Sequence, residues 1–184
     1  MILVLSADGR FVVFASLGSN FPQSNGKQQV YLKDSCFSTA RAVPLPGCDP
    51  TKTQPILISV ATDGVSAANA SVFTYPHSLS ADGRFVMFAS QATNLATNIT
   101  PAAASIAAIY VRDTCQTSSG PVASCQPSTL AISLDGQGNP LQPQYSQGDN
   151  GIWGLAISAD GHYATYMYYD ASRVLRVALA ATGF

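Results

Sequence analysis

Glutamate is absent from the sequence, and all ten acidic residues are aspartates. Charged residues of both signs are scarce: they make up 10% of the chain, and the formal net charge is −1. This balance excludes a nucleic-acid-binding module that works through a basic face, and it also excludes an acidic tail. Without glutamate, the chain cannot by itself supply a glutamate-dependent glycosidase pair.

Long hydrophobic runs are lacking too. No run reaches the roughly 18 apolar residues of a membrane-spanning helix, so the sequence predicts no such helix. The apolar start at residues 1–5 is interrupted at once by Asp8, Gly9 and Arg10, and no basic stretch precedes it. We therefore interpret it as a strand rather than as a signal peptide.

Sequence motifs for catalysis are missing as well. The chain has no G-x-S-x-G nucleophile elbow and no glycine-rich phosphate loop followed by Lys and Ser or Thr. The two histidines, His77 and His162, have no second histidine or acid at a repeating partner position. The sequence therefore predicts no catalytic residue, no cofactor and no metal ligand in this chain.

The residues that are present are typical of a loop-rich β protein. Hydrophobic residues reach 47%, which is enough for a packed core, and there are 14 glycines and 11 prolines. The helix-favouring residues Glu, Lys and Arg are absent or scarce. We expect an all-β fold and not a disordered chain.

A repeat organises the whole chain. Residues 6–16 read SADGRFVVFAS, residues 80–90 read SADGRFVMFAS, and a weaker third copy, SADGHYATYMY, starts at Ser158. Two further elements recur in the same order, namely VYLKDSC at 30–36 with IYVRDTC at 109–115, and ILISVATDG at 56–64 with LAISLDG at 130–136. This order predicts four strands in each unit.

Each copy carries an Asp-Gly pair between two strand patterns, at Asp8-Gly9, Asp82-Gly83 and Asp160-Gly161. Asp-Gly is a strong hairpin signal, and in a type I′ turn both central residues have positive φ. A catalytic carboxylate would occur once and not in every unit, so we interpret all three pairs as structural turns. Asp34 and Asp113 recur at strand ends and are interpreted in the same way.

The strand pattern from Phe85 to Phe88 is apolar without alternation, which is typical of a strand covered on both faces. Four-stranded antiparallel sheets stacked on copies of themselves satisfy this pattern, and radial stacking gives a β-propeller. A sandwich of two sheets is the alternative. A sandwich does not require a sequence repeat. A stack of sheets does, because a single unit cannot bury both faces of its sheet without neighbouring copies.

The segments 75–90 and 109–113 together resemble a blade of the TolB-like β-propellers, also called PD40 or WD40-like repeats. The resemblance covers nearly the whole chain. It implies four-stranded blades with the Ser-Ala-Asp-Gly strand near the axis and the Leu-Ala-Ile-Ser strand outermost. It implies no single function, since the family includes periplasmic, secreted and peptidase-attached propellers.

Some departures from the family pattern concern metal binding. Many relatives carry an acidic stretch before the third strand, but the matching stretches here, 23–28 and 94–108, contain no carboxylate. Because Ca²⁺ prefers several charged oxygens, we expect no calcium there.

The predicted organisation is a partial propeller of about two and a half blades. Blade 1 covers 1–76 with a partial first strand, blade 2 covers 77–150, and 151–184 begin an incomplete blade 3. Closed propellers typically have four to eight blades. We therefore expect either a piece of a longer protein or several copies that complete one ring, with contacts at both ends of the chain.

Two expectations about burial follow. The rims, at Val4-Leu5 and from Val174 to Leu179, are expected to be exposed. The middle unit is expected to be the best ordered, with these side chains buried against both neighbours: Phe85, Met87, Phe88, Ile109 and Val111.

The four cysteines form two equivalent pairs that follow the third strand of a unit. Cys36 and Cys48 are 12 positions apart, and Cys115 and Cys125 are 10 apart. We predict one disulfide in each loop and an oxidising compartment. Free thiols are an alternative, and so is a four-thiolate zinc site, although zinc ligands are usually spaced more closely.

Three weaker patterns remain. Asn69 and Asn98 match the N-glycosylation acceptor triplet, which is common by chance in a chain of this composition. An aromatic group could form a sugar-binding platform, but we interpret it as core between blades. Its members are Trp153, Tyr163, Tyr166, Tyr168 and Tyr169. The polar stretch 91–108 is interpreted as a loop on one face of the ring.

Three functions fit these patterns. The first is a non-catalytic, secreted or periplasmic propeller for binding or scaffolding, with a protein partner or further blades at its ends, possible self-association, and no nucleic acid or membrane span. The second is the propeller of a larger serine-peptidase-type enzyme, which a nucleophile elbow in the flanking gene sequence would indicate. The third is a structural subunit of an extracellular assembly.

Overall fold

The structure is a computed structural model that describes residues 3–38, 43–74, 77–100, 107–141, 155–170 and 172–184. Within these ranges the regular elements are β-strands in antiparallel pairs, which confirms the predicted all-β class. No helix in the same ranges is long and apolar enough to cross a membrane. The strands are β1 (Leu3–Leu5), β2 (Phe11–Ser16), β3 (Gln29–Asp34), β4 (Ile56–Leu57), β5 (Val72–Phe73), β6 (Phe85–Ser90), β7 (Ala108–Asp113), β8 (Gln116–Thr117), β9 (Gly120–Pro121), β10 (Ser128–Ala131), β11 (Ala156–Ile157), β12 (Tyr163–Tyr169) and β13 (Leu175–Ala181).

The strands form three main sheets, one for each copy of the repeat. The first sheet has the order β1-β2-β3-β4, the second β5-β6-β7-β10, and the third β11-β12-β13. The small hairpin β8-β9 lies in the second cysteine loop. Successive strands of the sequence are thus neighbours in each main sheet, apart from this inserted hairpin.

The second sheet begins earlier than the predicted boundary between 76 and 77. Val72 pairs with Ser90 at the end of β6, and Leu79 makes a single bridge to Val86 near the start of β6. The first strand of this unit is therefore present in two pieces. The Val72 N–H also donates to the carbonyl of Gln28, which ties the second unit to the first.

The first two sheets repeat one another in detail. Phe14 lies opposite Tyr31 in the β2-β3 pair, and Phe88 lies opposite Tyr110 in the β6-β7 pair. The ring centroids are 5.8 Å apart in the first pair and 5.7 Å apart in the second. Burial raises the pKa of Tyr110 to about 12, and its hydroxyl donates to the Ala92 carbonyl at 3.0 Å.

The second sheet is buried on both faces, as its apolar pattern predicts. One face packs on the first sheet, where Val86 and Phe88 join Val13 and Val30 in one core cluster. The other face packs on the third sheet through a second cluster. The five middle-unit side chains expected to be buried are all buried: Phe85, Met87, Phe88, Ile109 and Val111.

The two ends of the stack differ. In the first sheet, Val4 is buried, contrary to the expectation, because its side chain faces the second sheet; Leu5 points the other way and is exposed. In the third sheet, the predicted rim from Val174 to Leu179 is largely exposed, with Val177 and Leu179 the most open of its large apolar side chains. The third sheet therefore has one buried face and one open apolar face.

Candidate functional site: the repeated turn and the cysteine loop

The Ser-Ala-Asp-Gly turn is built by its own side chains. In the second unit, the Ser80 hydroxyl donates to the Asp82 carboxylate at 2.7 Å, and the Arg84 N–H donates to the same oxygen at 3.0 Å. The Phe85 N–H donates to the Ser80 hydroxyl at 2.9 Å. The turns that begin at Ser6 and Ser158 contain the same three hydrogen bonds.

The predicted type I′ geometry is wrong for these turns. Among their residues only the glycines have positive φ, 74° at Gly9, 82° at Gly83 and 78° at Gly161. The Ser6 N–H donates to the Phe11 carbonyl, so the loop between the paired positions is longer than the two residues of a type I′ hairpin. The serine and aspartate side chains hold this longer loop closed.

The first two units also contact the following unit through an aromatic ring that lies on a glycine of its turn. A Cβ added to Gly83 would lie 2.2 Å from Cδ2 of Phe11, and one added to Gly161 would lie 2.0 Å from Cδ2 of Phe85. The rings occupy the space that any other residue would need for its side chain. Glycine is therefore required at both positions for the close approach as well as for the positive φ.

A backbone hydrogen bond accompanies each ring–glycine contact. The Ala7 N–H donates to the Ala81 carbonyl at 3.0 Å, and the Ala81 N–H donates to the Ala159 carbonyl at 2.9 Å. We call the combination of this bond and the ring on the glycine the turn contact. It joins the first unit to the second and the second to the third in the same direction.

The aspartates serve as turn residues throughout the described ranges. Every aspartate there accepts a hydrogen bond from the N–H two residues further on, at 2.8 to 3.0 Å, which is the Asx-turn pattern. The acceptor–donor pairs are Asp8–Arg10, Asp34–Cys36, Asp49–Thr51, Asp63–Val65, Asp82–Arg84, Asp113–Cys115, Asp135–Gln137, Asp160–His162 and Asp170–Ser172.

This turn role suits aspartate better than glutamate. The longer glutamate side chain does not form the Asx turn, whereas aspartate closes it at little steric cost. At Asp160, donation from the Ser158 hydroxyl and the His162 N–H holds the pKa below its usual range.

An arginine clamps the start of each cysteine loop. Arg84 donates from Nε and from a terminal nitrogen to the two oxygens of Asp113, at 2.9 and 2.6 Å. The Cys115 N–H donates to Asp113 at 2.8 Å, and Cys115 has a left-handed φ of 57°. In the first unit the same arrangement is made by Arg10, Asp34 and Cys36.

The sequence analysis missed this clamp, because it interpreted Asp34 and Asp113 as turn residues only. The sequence does contain a pattern that indicates this ion pair. Arginine directly after Asp-Gly and aspartate two residues before the first cysteine occur together in the first two units, and the third unit has neither. In the structure His162 is exposed, with Nδ1 3.0 Å from the Phe184 carbonyl.

Each cysteine loop is closed by its own disulfide. Cys36 is bonded to Cys48 and Cys115 to Cys125, and no cysteine is free. In each loop the two sulfurs lie close to the aspartate that the arginine holds, so three groups of the types that bind metal ions lie together. The bonded sulfurs cannot act as thiolate ligands, and the carboxylate already faces a guanidinium group. Disulfides of this kind are typical of an extracellular or periplasmic protein.

The double variant Cys115→Ser/Cys125→Ser is expected to lose about 2–3 kcal/mol of unfolding free energy, because the disulfide restricts a short loop in the unfolded chain. Urea unfolding of the oxidised protein and the variant measures the difference. Cys36→Ser/Cys48→Ser is the matched variant and should lose a similar amount. Equal stability of all three proteins, or four alkylatable thiols in the native protein, would contradict the assignment.

The tyrosine group of the third unit is divided between two faces. Tyr166 is buried and Tyr168 half-buried against the second sheet, as predicted for core between blades. Tyr163 and Tyr169 point to the opposite face and are exposed, so the core interpretation is wrong for these two. Side chains alternate between the two faces along β12, which places these two tyrosines on the face opposite Tyr166 and Tyr168. Trp153 lies outside the described residues.

The side-chain amides of both glycosylation candidates are engaged in hydrogen bonds. Asn69 donates to the Thr93 hydroxyl and accepts from the Thr93 N–H. The Asn98 side-chain amide donates to the Ala131 carbonyl and accepts from the Ala131 N–H. It thus forms with the backbone of β10 the two hydrogen bonds that a neighbouring strand would form. Glycosylation of either residue stays a prediction.

A cavity of about 210 Å³ lies between the first two units. Burial lowers the pKa of Arg112, which lines it, and the guanidinium donates to the Thr129 hydroxyl at 2.9 Å. Thr62 and Thr97 contribute further hydroxyls. The lining comes from four separate segments of chain, so no local sequence pattern could indicate it.

No family model, no curated protein and no solved structure matches this chain. The resemblance to TolB-like propellers therefore stays a prediction that depends on the residues quoted above.

Proposed function

We propose that this chain forms part of a β-propeller outside the cytoplasm and acts there as a non-catalytic binding or scaffold module. The observation that carries the proposal is the turn contact. It joins successive units twice, with the same residues and in the same direction. Contacts repeated in one direction are what a radial stack of equivalent sheets requires.

The burial of the second sheet supports a stack over a two-sheet sandwich. In a sandwich each sheet buries one face and leaves the other to solvent. Here every residue of β6 is buried, and its two faces contribute to two different core clusters. A central sheet with neighbours on both sides fits a blade between two blades.

The chemistry of the described side chains supports a non-catalytic role. A carboxylate that serves as a general acid or base must be able to exchange protons with a substrate. The aspartates of the described ranges are instead engaged in Asx turns, and Asp34 and Asp113 are in addition held by arginines. The two disulfides favour an oxidising compartment, where a loop-rich protein gains most from such links.

The proposal is tested on the full natural protein, because the alternative is a propeller joined to a serine-peptidase domain. Cells that produce the protein are fractionated and treated with a fluorophosphonate probe, which modifies activated serines. We expect the protein in the extracellular or periplasmic fraction, with both disulfides formed and no probe attached. A cytosolic protein with free thiols, or a labelled one, would overturn the proposal.

A further inference from the structure

Arg112 differs from the arginines that hold an aspartate. Arg10, Arg84 and Arg176 each form an ion pair with an aspartate, at 2.6 to 2.8 Å. In the part of the chain that the structure describes, no carboxylate lies within ion-pair distance of Arg112. Its guanidinium donates to the Thr129 hydroxyl at 2.9 Å, and because a guanidinium has five N–H donors, this bond leaves donors available to a ligand.

Strand pairing directs Arg112 towards the first unit. In the second sheet it lies opposite Val86 on one side and opposite Thr129 on the other. Val86 belongs to the core cluster between the first two sheets, and residues directly opposite one another share a face of the sheet. Arg112 is half-buried there, so a ligand of opposite charge would stabilise it.

The space in front of Arg112 is the cavity of about 210 Å³ between the two units. Ala61 and Leu95 line it and are buried, whereas Thr62 and Thr97 line it and are exposed. The cavity therefore combines one cation, apolar surface and hydroxyl groups. Pockets for drug-sized ligands usually measure ~300–1,000 Å³, so this one suits a smaller molecule.

Two aspartates adjoin the lining residues in sequence, and both make their contacts elsewhere. Asp113 accepts from Arg84 and lies opposite Phe85, on the face turned to the third sheet. Asp63 accepts from the N–H groups of Val65 and Ser66, at 2.9 and 2.8 Å, within its own turn. Neither of them neutralises Arg112.

Hydrogen bonds hold the walls of the cavity together. The Thr62 N–H donates to the Asn94 carbonyl at 2.8 Å, and the Asn94 side chain donates to the Ala67 carbonyl. The Asn98 side chain pairs with the backbone of Ala131 in β10. The loop that contains Leu95 and Thr97 is thus tied to the first unit on one side and to β10 on the other. A site that is formed before binding loses little entropy when a ligand enters.

The charge of the site favours a carboxylate over a phosphate. The planar guanidinium fork matches the two oxygens of a carboxylate in parallel hydrogen bonds. One carboxylate balances one guanidinium. A phosphate dianion would bring a second negative charge, and among the described lining residues Arg112 is the one cation.

We propose that this cavity binds a small organic acid that carries hydroxyl groups, with its carboxylate on Arg112. The ligand hydroxyls exchange hydrogen bonds with the threonine side chains, and its C–H groups contact Ala61 and Leu95. A sugar acid has this combination of groups. The inference goes beyond the proposed function, since it requires the first two sheets and depends neither on the compartment nor on the absence of catalysis.

The test titrates the ¹⁵N-labelled 184-residue chain with sodium glucuronate at constant pH and ionic strength and follows the amide NMR shifts. We expect saturating shifts at residues 61–64, 95–97 and 127–129. The expected Kd is about 1 mM, the usual value for a ligand of roughly 13 non-hydrogen atoms. Glucose, which lacks the carboxylate, and inorganic phosphate should each bind at least ~10-fold more weakly. No saturation with glucuronate, or equal binding of glucose or phosphate, would overturn the proposal.

Variants of the cation locate the site. Arg112→Gln should weaken glucuronate binding at least ~10-fold, whereas Lys33→Gln should not change it. Lys33 is the matched control, because it occupies the equivalent position of the first unit and donates to Thr53 there. Far-ultraviolet circular dichroism checks the fold of each variant. Equal binding by Arg112→Gln and the natural chain, or an equal loss in Lys33→Gln, would overturn the proposal.

Arg112→Lys keeps the charge and tests the fork even where Arg112→Gln does not fold. It should bind glucuronate at least ~3-fold more weakly, because an ammonium group cannot form the parallel pair of hydrogen bonds. Unchanged affinity would overturn the proposal. A protein that binds glucuronate as expected but carries the fluorophosphonate label would overturn the proposed function and leave this site standing.

Discussion

Gly83→Ala is expected to lower the free energy of unfolding by about 3 kcal/mol, of which about 1–2 kcal/mol comes from the positive φ. The remainder arises because the new Cβ would lie 2.2 Å from Cδ2 of the Phe11 ring. Phe11 is buried in the core between the first two sheets. Forcing extra volume into such a core typically costs about 1–3 kcal/mol.

Gly64 supplies the matched control, because it also follows an aspartate and has a φ of 76°, close to the 82° of Gly83. A Cβ at Gly64 would meet no atom within 4 Å. Gly64→Ala should therefore lose only the backbone contribution, about 1–2 kcal/mol. Urea unfolding of both variants measures the difference. Equal losses would mean that no ring covers Gly83, and the turn contact would be wrong.

Phe85→Ala is expected to lower the unfolding free energy by about 3–5 kcal/mol, the range for truncating a fully buried aromatic side chain. The Phe85 ring lies in the second core cluster, contacts the Phe184 ring at a centroid distance of 5.5 Å, and covers Gly161. Its removal opens a cavity between the second and third sheets. Denaturant unfolding measures the loss.

Tyr163→Ala is the control at the equivalent repeat position. Because Tyr163 is exposed in the single chain, its truncation should change the unfolding free energy by less than about 1 kcal/mol at low protein concentration. Similar losses for the two variants would contradict the arrangement in which the third sheet has a free face. A small loss for Phe85→Ala would contradict the stacking of the second and third sheets.

The repeat and the unbroken apolar strands predicted the all-β class and a central sheet that is covered on both faces. Phe85 to Phe88 lack alternation because the second sheet contacts a neighbour on each side, and the structure buries all of β6. The Asp-Gly pairs predicted turns in the right places. The type I′ geometry predicted for them was wrong, because the Ser80 and Asp82 side chains close a longer loop than a type I′ hairpin.

The features that the sequence left open depend on contacts between distant residues. The Arg84–Asp113 pair joins the turn to the start of the cysteine loop, and a local pattern cannot show which aspartate an arginine reaches. The position of Val72 in the second sheet was missed because a two-residue strand has almost no signal of its own. Tyr163 and Tyr166 differ in burial because a sheet at the end of a stack has one covered face.

The central claim is that successive units are joined by a ring on a glycine. A two-dimensional proton NMR spectrum of the 184-residue chain measures this most directly through nuclear Overhauser effects. The account predicts cross-peaks from the Phe11 ring to the α protons of Gly83, and from the Phe85 ring to those of Gly161, with both glycines shifted by ring currents. A well-dispersed spectrum in which both pairs of cross-peaks are missing would contradict it.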